Sequence, residues 1–171
     1  MIRKFTTSLA LAAGLLGATS LVAQAQTTGE TRTPPRACAP GGRSLTVTVT
    51  GFSNTTGTVR AQLYGPGAAK FLAKGAWTMR IEQIRRHDGP MQFCFPIERP
   101  GEYSVAIRHD ANDNHASDWN DGGGFTGNPH LSLLKLKPPF AKTAVTVGDA
   151  PVRQSVVMQY RRGLGIGPLA Q

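Results

Sequence analysis

Apolar and polar side chains alternate with a period of two along several short stretches. Leu45, Val47 and Val49 alternate with Thr46, Thr48 and Thr50, and Val59, Ala61 and Leu63 with Arg60 and Gln62. Trp77, Met79 and Ile81 alternate with Thr78, Arg80 and Glu82, and Tyr103, Val105 and Ile107 with Ser104, Ala106 and Arg108. That period is the mark of strands with one face in a core and one in water. Met91 to Ile97, Ala144 to Val147 and Gln154 to Tyr160 read as further strands. Asn54-Thr55-Thr56-Gly57 reads as the turn of a hairpin between the first two runs. The phase slips at Ile84, which predicts a bulge, and Ala68 to Ala73 reads as one helical turn plugging an end of the core. Short connections cannot carry parallel crossovers, so the pairing is read as antiparallel. The prediction is an all-β, two-sheet antiparallel sandwich of about seven strands, with a small barrel second.

Two segments fall outside that pattern. From His109 to about Pro139 no strand signal appears, and a connection of that length is usually functional, ordered by a ligand or disordered. Residues 161–171 are Gly-rich and read as a flexible tail. The predicted sandwich domain thus spans 44–160.

The start of the chain follows a different logic. Arg3 and Lys4 precede an apolar run from Leu9 to Val22, and Ala23-Gln24-Ala25 fits a small-x-small cleavage site. Residues 1–25 are therefore read as a signal peptide and 26–43 as an N-terminal arm of the mature protein, which is expected to be periplasmic or secreted with no membrane span. The net charge of +9 falls to +7 once Arg3 and Lys4 are removed. Basic residues are scattered without a block, and export argues against a nucleic-acid partner. In an oxidising compartment the two cysteines, Cys38 and Cys94, are expected to form a disulfide stapling the arm to the strand Met91–Ile97.

The long segment carries the chemistry. Counted from Asp110, oxygen-bearing side chains fall at positions 1, 3, 5, 9 and 12 of a twelve-residue loop: Asp110, Asn112, Asn114, Asp118 and Asp121, with the Ala116 carbonyl at position 7. That is the spacing of a calcium loop, so calcium is the expected cation, the alternative being a solvated Asp/Asn turn cluster that binds none. Position 6 is His115 rather than Gly, and position 12 is Asp121 rather than Glu. His109, His115 and His130 lie in or near the loop without a zinc-site spacing. No G-x-S-x-G, H-E-x-x-H or phosphate-loop motif occurs in the sequence.

Several segments occur in a telling order: Leu45 to Gly51, Gly57 to Tyr64, Pro100 to Ile107, His109-Asp-Ala-Asn-Asp-Asn114 and Gly123-Gly-Phe-Thr-Gly-Asn-Pro129. In these the chain resembles an uncharacterised bacterial family, domain of unknown function 2141, over roughly residues 44–160. The resemblance implies an exported, single β-sandwich-like domain with no established activity, and the sandwich predicted from the strand pattern is immunoglobulin- or transthyretin-like in class. Tyr160-Arg161-Arg162-Gly163 departs from the Tyr-Arg-Gly-Ser of transthyretin-like hydrolases by an added Arg and the lack of Ser. The reading is a non-catalytic envelope module that binds a protein, glycan or surface through its loops, with a calcium-type loop site. The alternative is a small periplasmic hydrolase using His109 and Asp110.

Overall fold

The computed structural model describes Cys38 and residues 41–169, so the predicted signal peptide and most of the arm lie outside the described residues. Ten strands follow one another: β1 Ser44–Thr50, β2 Thr58–Tyr64, β3 Met79–Ile84, β4 Met91–Pro96, β5 Gly101–Asp110, β6 Gly122–Phe125, β7 Val145–Val147, β8 Val152–Val157, β9 Gln159–Arg162 and β10 Gly165–Pro168. A 3-10 turn at Phe140–Lys142 is the only named helical element among the described residues. No described helix is long and apolar enough to cross a membrane.

The strands form two sheets that do not close into a barrel. One has three strands in the order β4-β1-β8; the other has seven, in the order β10-β9-β6-β5-β2-β3 with β7 also paired to β5. The alternating positions read from the sequence meet between them. Leu45, Val47 and Val49 of β1, Phe93 and Phe95 of β4 and Val156 of β8 face Val59, Ala61 and Leu63 of β2 and Tyr103, Val105 and Ile107 of β5. All are buried, and removal of this apolar surface from water is the main force holding the sheets together.

The structure corrects several local expectations. β1 and β2 are not a hairpin: β1 pairs with β4 and β8, β2 with β3 and β5, and residues 51–57 carry the chain from one sheet to the other. Alternation tells that a strand has a buried face, not which sheet it joins. The β1–β8 pair is parallel, with Val49 opposite Val156; the chain between them, which builds most of the larger sheet, is long enough for the crossover. β3 pairs with β2 without a bulge through Thr58 and Ile84. The predicted single strand 154–160 is two, β8 in one sheet and β9 in the other, with Met158 between them donating its amide to Thr50 at 2.9 Å. The segment read as a flexible tail holds β10, paired to β9 from Gly165 to Pro168. The 66–75 segment does not plug the main core. Phe71 lies on the outer face of the large sheet, edge-on to Tyr64 and Phe140 at 5.4 Å each.

The strand with no hydrophobic signature is β6, Gly-Gly-Gly-Phe, lodged between β5 and β9. Two of its three glycines are there for space. A Cβ on Gly122 would fall 2.5 Å from Cζ of Tyr160, and one on Gly124 2.6 Å from Cγ1 of Val156. Cys38 and Cys94 form the expected disulfide, with a Cα–Cα distance of 6.0 Å.

Candidate functional site: the loop 110–121 and the groove beside it

On the inner face of β5, His109 follows Ile107 in the buried register and has no exposed surface. Across the sheet His109 pairs with Gly122, and Gly122 with Tyr160. Because Gly122 carries no side chain, the imidazole and the phenol meet over it: Nδ1 of His109 lies 2.6 Å from Oη of Tyr160. Nε2 lies 2.8 Å from the Thr56 carbonyl, which only accepts, so Nε2 carries the proton and Nδ1 accepts from the Tyr160 hydroxyl. Phe52 packs edge-on at 5.3 Å, and the buried Arg85 guanidinium sits 3.9 Å over the Phe52 ring. Burial pushes the His109 pKa below its ordinary value, and the nearby Arg85 charge adds to this against the Thr56 hydrogen bond. Burial also raises the Tyr160 pKa. His109 is thus a neutral imidazole with both nitrogens committed inside the protein.

Arg108 and Asp110 flank His109 in β5. Successive strand side chains alternate between faces, so Arg108 projects on the outer side of the sheet. Sequence reading passed over it, and it organises the loop. Its guanidinium binds the Asp121 carboxylate at 2.7 Å, hydrogen-bonds the Ala116 carbonyl, and lies 3.8 Å from the Asp110 carboxylate. Positions 1, 7 and 12 of the calcium register therefore surround an internal cation supplied by the preceding strand. Asp110 also accepts from the backbone amides of Asn114 at 3.2 Å and His115 at 2.8 Å.

The remaining predicted ligands gather elsewhere in the loop. Asn112 and Asn114 donate their side-chain amides to one Asp118 oxygen at 2.8 and 2.7 Å, while the other oxygen accepts from the Asn120 amide at 2.9 Å. These bonds, led by that from Asn120, hold the Asp118 carboxyl below the usual carboxylate range. The Asn114 side-chain oxygen Oδ1 accepts from the Ala116 backbone amide at 2.9 Å. Asp110 and Asp121 thus share Arg108, Asn112 and Asn114 share Asp118, and the Asn114 and Asp118 backbone amides join the two sets by donating to Asp110 and Asp121 at 3.2 and 3.4 Å. Asp113, outside the calcium register, accepts from Thr58 Oγ1 at 2.6 Å; its carboxylate, that of Asp110 and a His115 ring nitrogen lie within 4.8 Å of one another. His115, at the position where calcium loops favour Gly, has the left-handed φ of 62° that such a position requires.

Sequence reading also missed what lies beside the loop. On the outer face of the large sheet a groove of about 600 Å³ runs between the 117–121 end of the loop and residues 131–137. Phe125, Leu131, Leu133, Leu136 and Ile166 give it an apolar wall, and Trp119 stands at its edge, 67% exposed. The Arg161 guanidinium stacks on Trp119, with Cζ 3.0 Å from the ring centroid. One guanidinium nitrogen of Arg161, Nη1, is buried and has no hydrogen-bond partner. Gln159 is already committed, accepting from the Leu131 amide at 3.0 Å and donating to the Pro129 carbonyl at 2.8 Å. The signal for the groove was in the sequence as Trp119 and Leu133-Leu134 inside a polar segment, but only the pairing of β9 beside β6 brings Arg161 to it.

A family model described as "Uncharacterized protein conserved in bacteria (DUF2141)" matches residues 47–155, and the chain belongs to that family. No curated protein and no solved structure matches the chain.

Proposed function

We propose that this family member is an exported, non-catalytic binding module whose ligand seat is the outer-face groove, and that the ligand is an amphipathic anion. The observation that carries the reading is the unpartnered Arg161 nitrogen at the edge of an apolar hollow. A buried donor with no acceptor costs free energy, and a ligand carboxylate, phosphate or acidic sugar supplies the acceptor. Lys137 at the same groove adds a second positive charge; of the acids there, Asp121 is paired with Arg108, and Asp118 keeps its charge while accepting from the two asparagine amides. The apolar wall suits a ring or short chain, and the volume lies in the range of small-molecule sites. A periplasmic or secreted location is supported by the pattern of residues 1–25 and agrees with the Cys38–Cys94 bond.

The loop forms one rim of this seat. Calcium would enter it in competition with Arg108, whose guanidinium already pairs with Asp121 and lies 3.8 Å from Asp110. The hydrolase alternative draws no support from this geometry, since His109 is buried with neither nitrogen free to take a substrate proton.

Isothermal titration calorimetry with 2-naphthoate and with the neutral 2-naphthamide tests the proposal. Saturable binding of the carboxylate is expected, weakened at least roughly tenfold for the amide and for Arg161→Gln, the ordinary worth of one charge-assisted pair. No heat with the carboxylate, or equal affinity for both probes, overturns it.

A further inference from the structure

Residues 131–137 read Leu-Ser-Leu-Leu-Lys-Leu-Lys. Leu131 is buried and anchors the segment to the outer face of the sheet. Ser132 and Lys135 then close a tight turn on each other, with Lys135 donating to Ser132 at 2.9 Å and Ser132 to Lys135 at 3.3 Å. The two residues at the tip are Leu133 and Leu134. Turn tips ordinarily carry Gly, Asn, Asp or Ser, which suit the backbone and water. Here Leu134 is 99% exposed, and Leu136 just beyond is also exposed. Another large apolar side chain stands out in the same way at the tip of the neighbouring hairpin: Leu164, 92% exposed, between β9 and β10. Trp119 makes the set larger. Of the six large hydrophobic side chains exposed among the described residues, all but Ile84 belong to the groove, its leucine turn or the adjoining hairpin. Clustered exposure of this kind marks an interaction surface.

The charges around these leucines select the partner. Lys135 and Lys137 alternate with them, and Arg161 and Arg162 lie on the strand leading to Leu164. Apolar tips ringed by cations match a surface that is apolar beneath and anionic on top. A protein partner of matching shape would need acids placed one by one, whereas an anionic bilayer offers both properties everywhere. We propose that the Leu133–Leu134 turn, with Leu136 and Leu164 beside it, docks this protein peripherally on an anionic phospholipid bilayer, the leucines entering the headgroup–acyl boundary while Lys135 and Lys137 meet lipid phosphates. Leu133, Leu136 and Lys137 also line the groove, so the docking is tested with no groove ligand present.

The test is cosedimentation of the full chain, produced through an export pathway, with vesicles of phosphatidylglycerol and phosphatidylcholine and with vesicles of phosphatidylcholine alone. Wild type is compared with Leu133→Ser/Leu134→Ser and with Lys135→Glu/Lys137→Glu, so that any contribution from the N-terminal apolar run is common to all. Sedimentation velocity without lipid follows self-association. The expected result is binding to the anionic vesicles, reduced at least roughly tenfold in each variant, on neutral vesicles and at high salt. Equal binding by wild type and the leucine variant, equal binding to neutral vesicles, or no vesicle binding by wild type overturns the proposal. So does self-association abolished by the leucine change, which would identify a second copy as the occupant. Failure here leaves the naphthoate result untouched, because that titration contains no lipid.

Discussion

Two segments on either side of β6, residues 110–121 and 131–137, are opposites in how their side chains are spent. In the first, nearly every polar atom that drew attention in the sequence has a partner in the protein: Asp110 and Asp121 hold Arg108, and Asp118 holds Asn112 and Asn114. In the second, Leu134 touches almost nothing, and the cations beside it are free of carboxylates among the described ion pairs. Residues rich in recognisable chemistry can be structural because that chemistry is consumed internally. A conspicuous lack of internal partners is the better pointer to an external one.

The comparison breaks most readily at Arg108. Asp110 and Asp121 keep less than a tenth of their side-chain surface exposed, so removing their cation leaves two carboxylates close together and poorly solvated. Arg108→Ala is expected to destabilise by about 2–4 kcal/mol, the ordinary result of orphaning a largely buried charge. The same variant opens positions 1, 7 and 12 of the calcium register. Millimolar calcium should then return about 1.4 kcal/mol when roughly tenfold above its dissociation constant, while shifting the wild-type melt much less. Thermal melts of both proteins with calcium and with chelator decide the matter. An equal calcium shift in the two would mean that the guanidinium does not hold the cation's place.

Acid sharpens the same point inside the core. Burial depresses the pKa of His109 in the folded protein, whereas the unfolded chain takes up its proton near the ordinary value of 6.5. Below that pH the unfolded state binds more protons than the folded one, so stability rises with pH across the window between the depressed pKa and 6.5. It is fully present above the window and is lost as pH falls through it. The slope from this one group is at most about 1.4 kcal/mol per pH unit. Denaturant melts at a series of pH values below neutrality should show it, and His109→Asn should flatten the curve relative to wild type. An unchanged slope in the variant would place the acid sensitivity elsewhere.

How far the sequence foretold this molecule depended on which physical signal each part relies on. β1, β2, β4 and β5 were legible because burial of one face imposes a period of two on their side chains. β6 was not, because its contribution is the lack of side chains: glycine there lets His109 reach Tyr160 across the sheet, and emptiness has no hydropathy pattern. Sheet membership of β1 and β2 was equally hidden, since alternation is the same in either sheet. In the loop, the oxygen spacing was visible but its counter-cation was not. Arg108 looked like one more outward-facing polar residue of a strand, and only the fold of the loop back over β5 brings Ala116 and Asp121 to it. The buried His109 likewise resembled a loop histidine until β5 proved to run on to Asp110.

The smallest expected effect is the most exacting for the contrast between the two regions. Leu134 sits at the tip of its turn with 99% of its surface exposed, so it has no apolar burial to lose when shortened. Leu134→Ser should leave thermal stability within about 0.5 kcal/mol of wild type, as for surface changes remote from any special feature. Serine is also the better residue for a turn, through its local hydrogen bonding, so the sign is expected to be neutral or slightly stabilising. A leucine kept against that local preference is being held there by something other than the fold of the free protein. If the substitution instead costs as much as a core truncation, about 2 kcal/mol or more, then Leu134 packs inside the protein in solution. The turn would then be a lid closed on the groove rather than a surface turned outward, and a differential scanning calorimetry trace of this single variant separates the two.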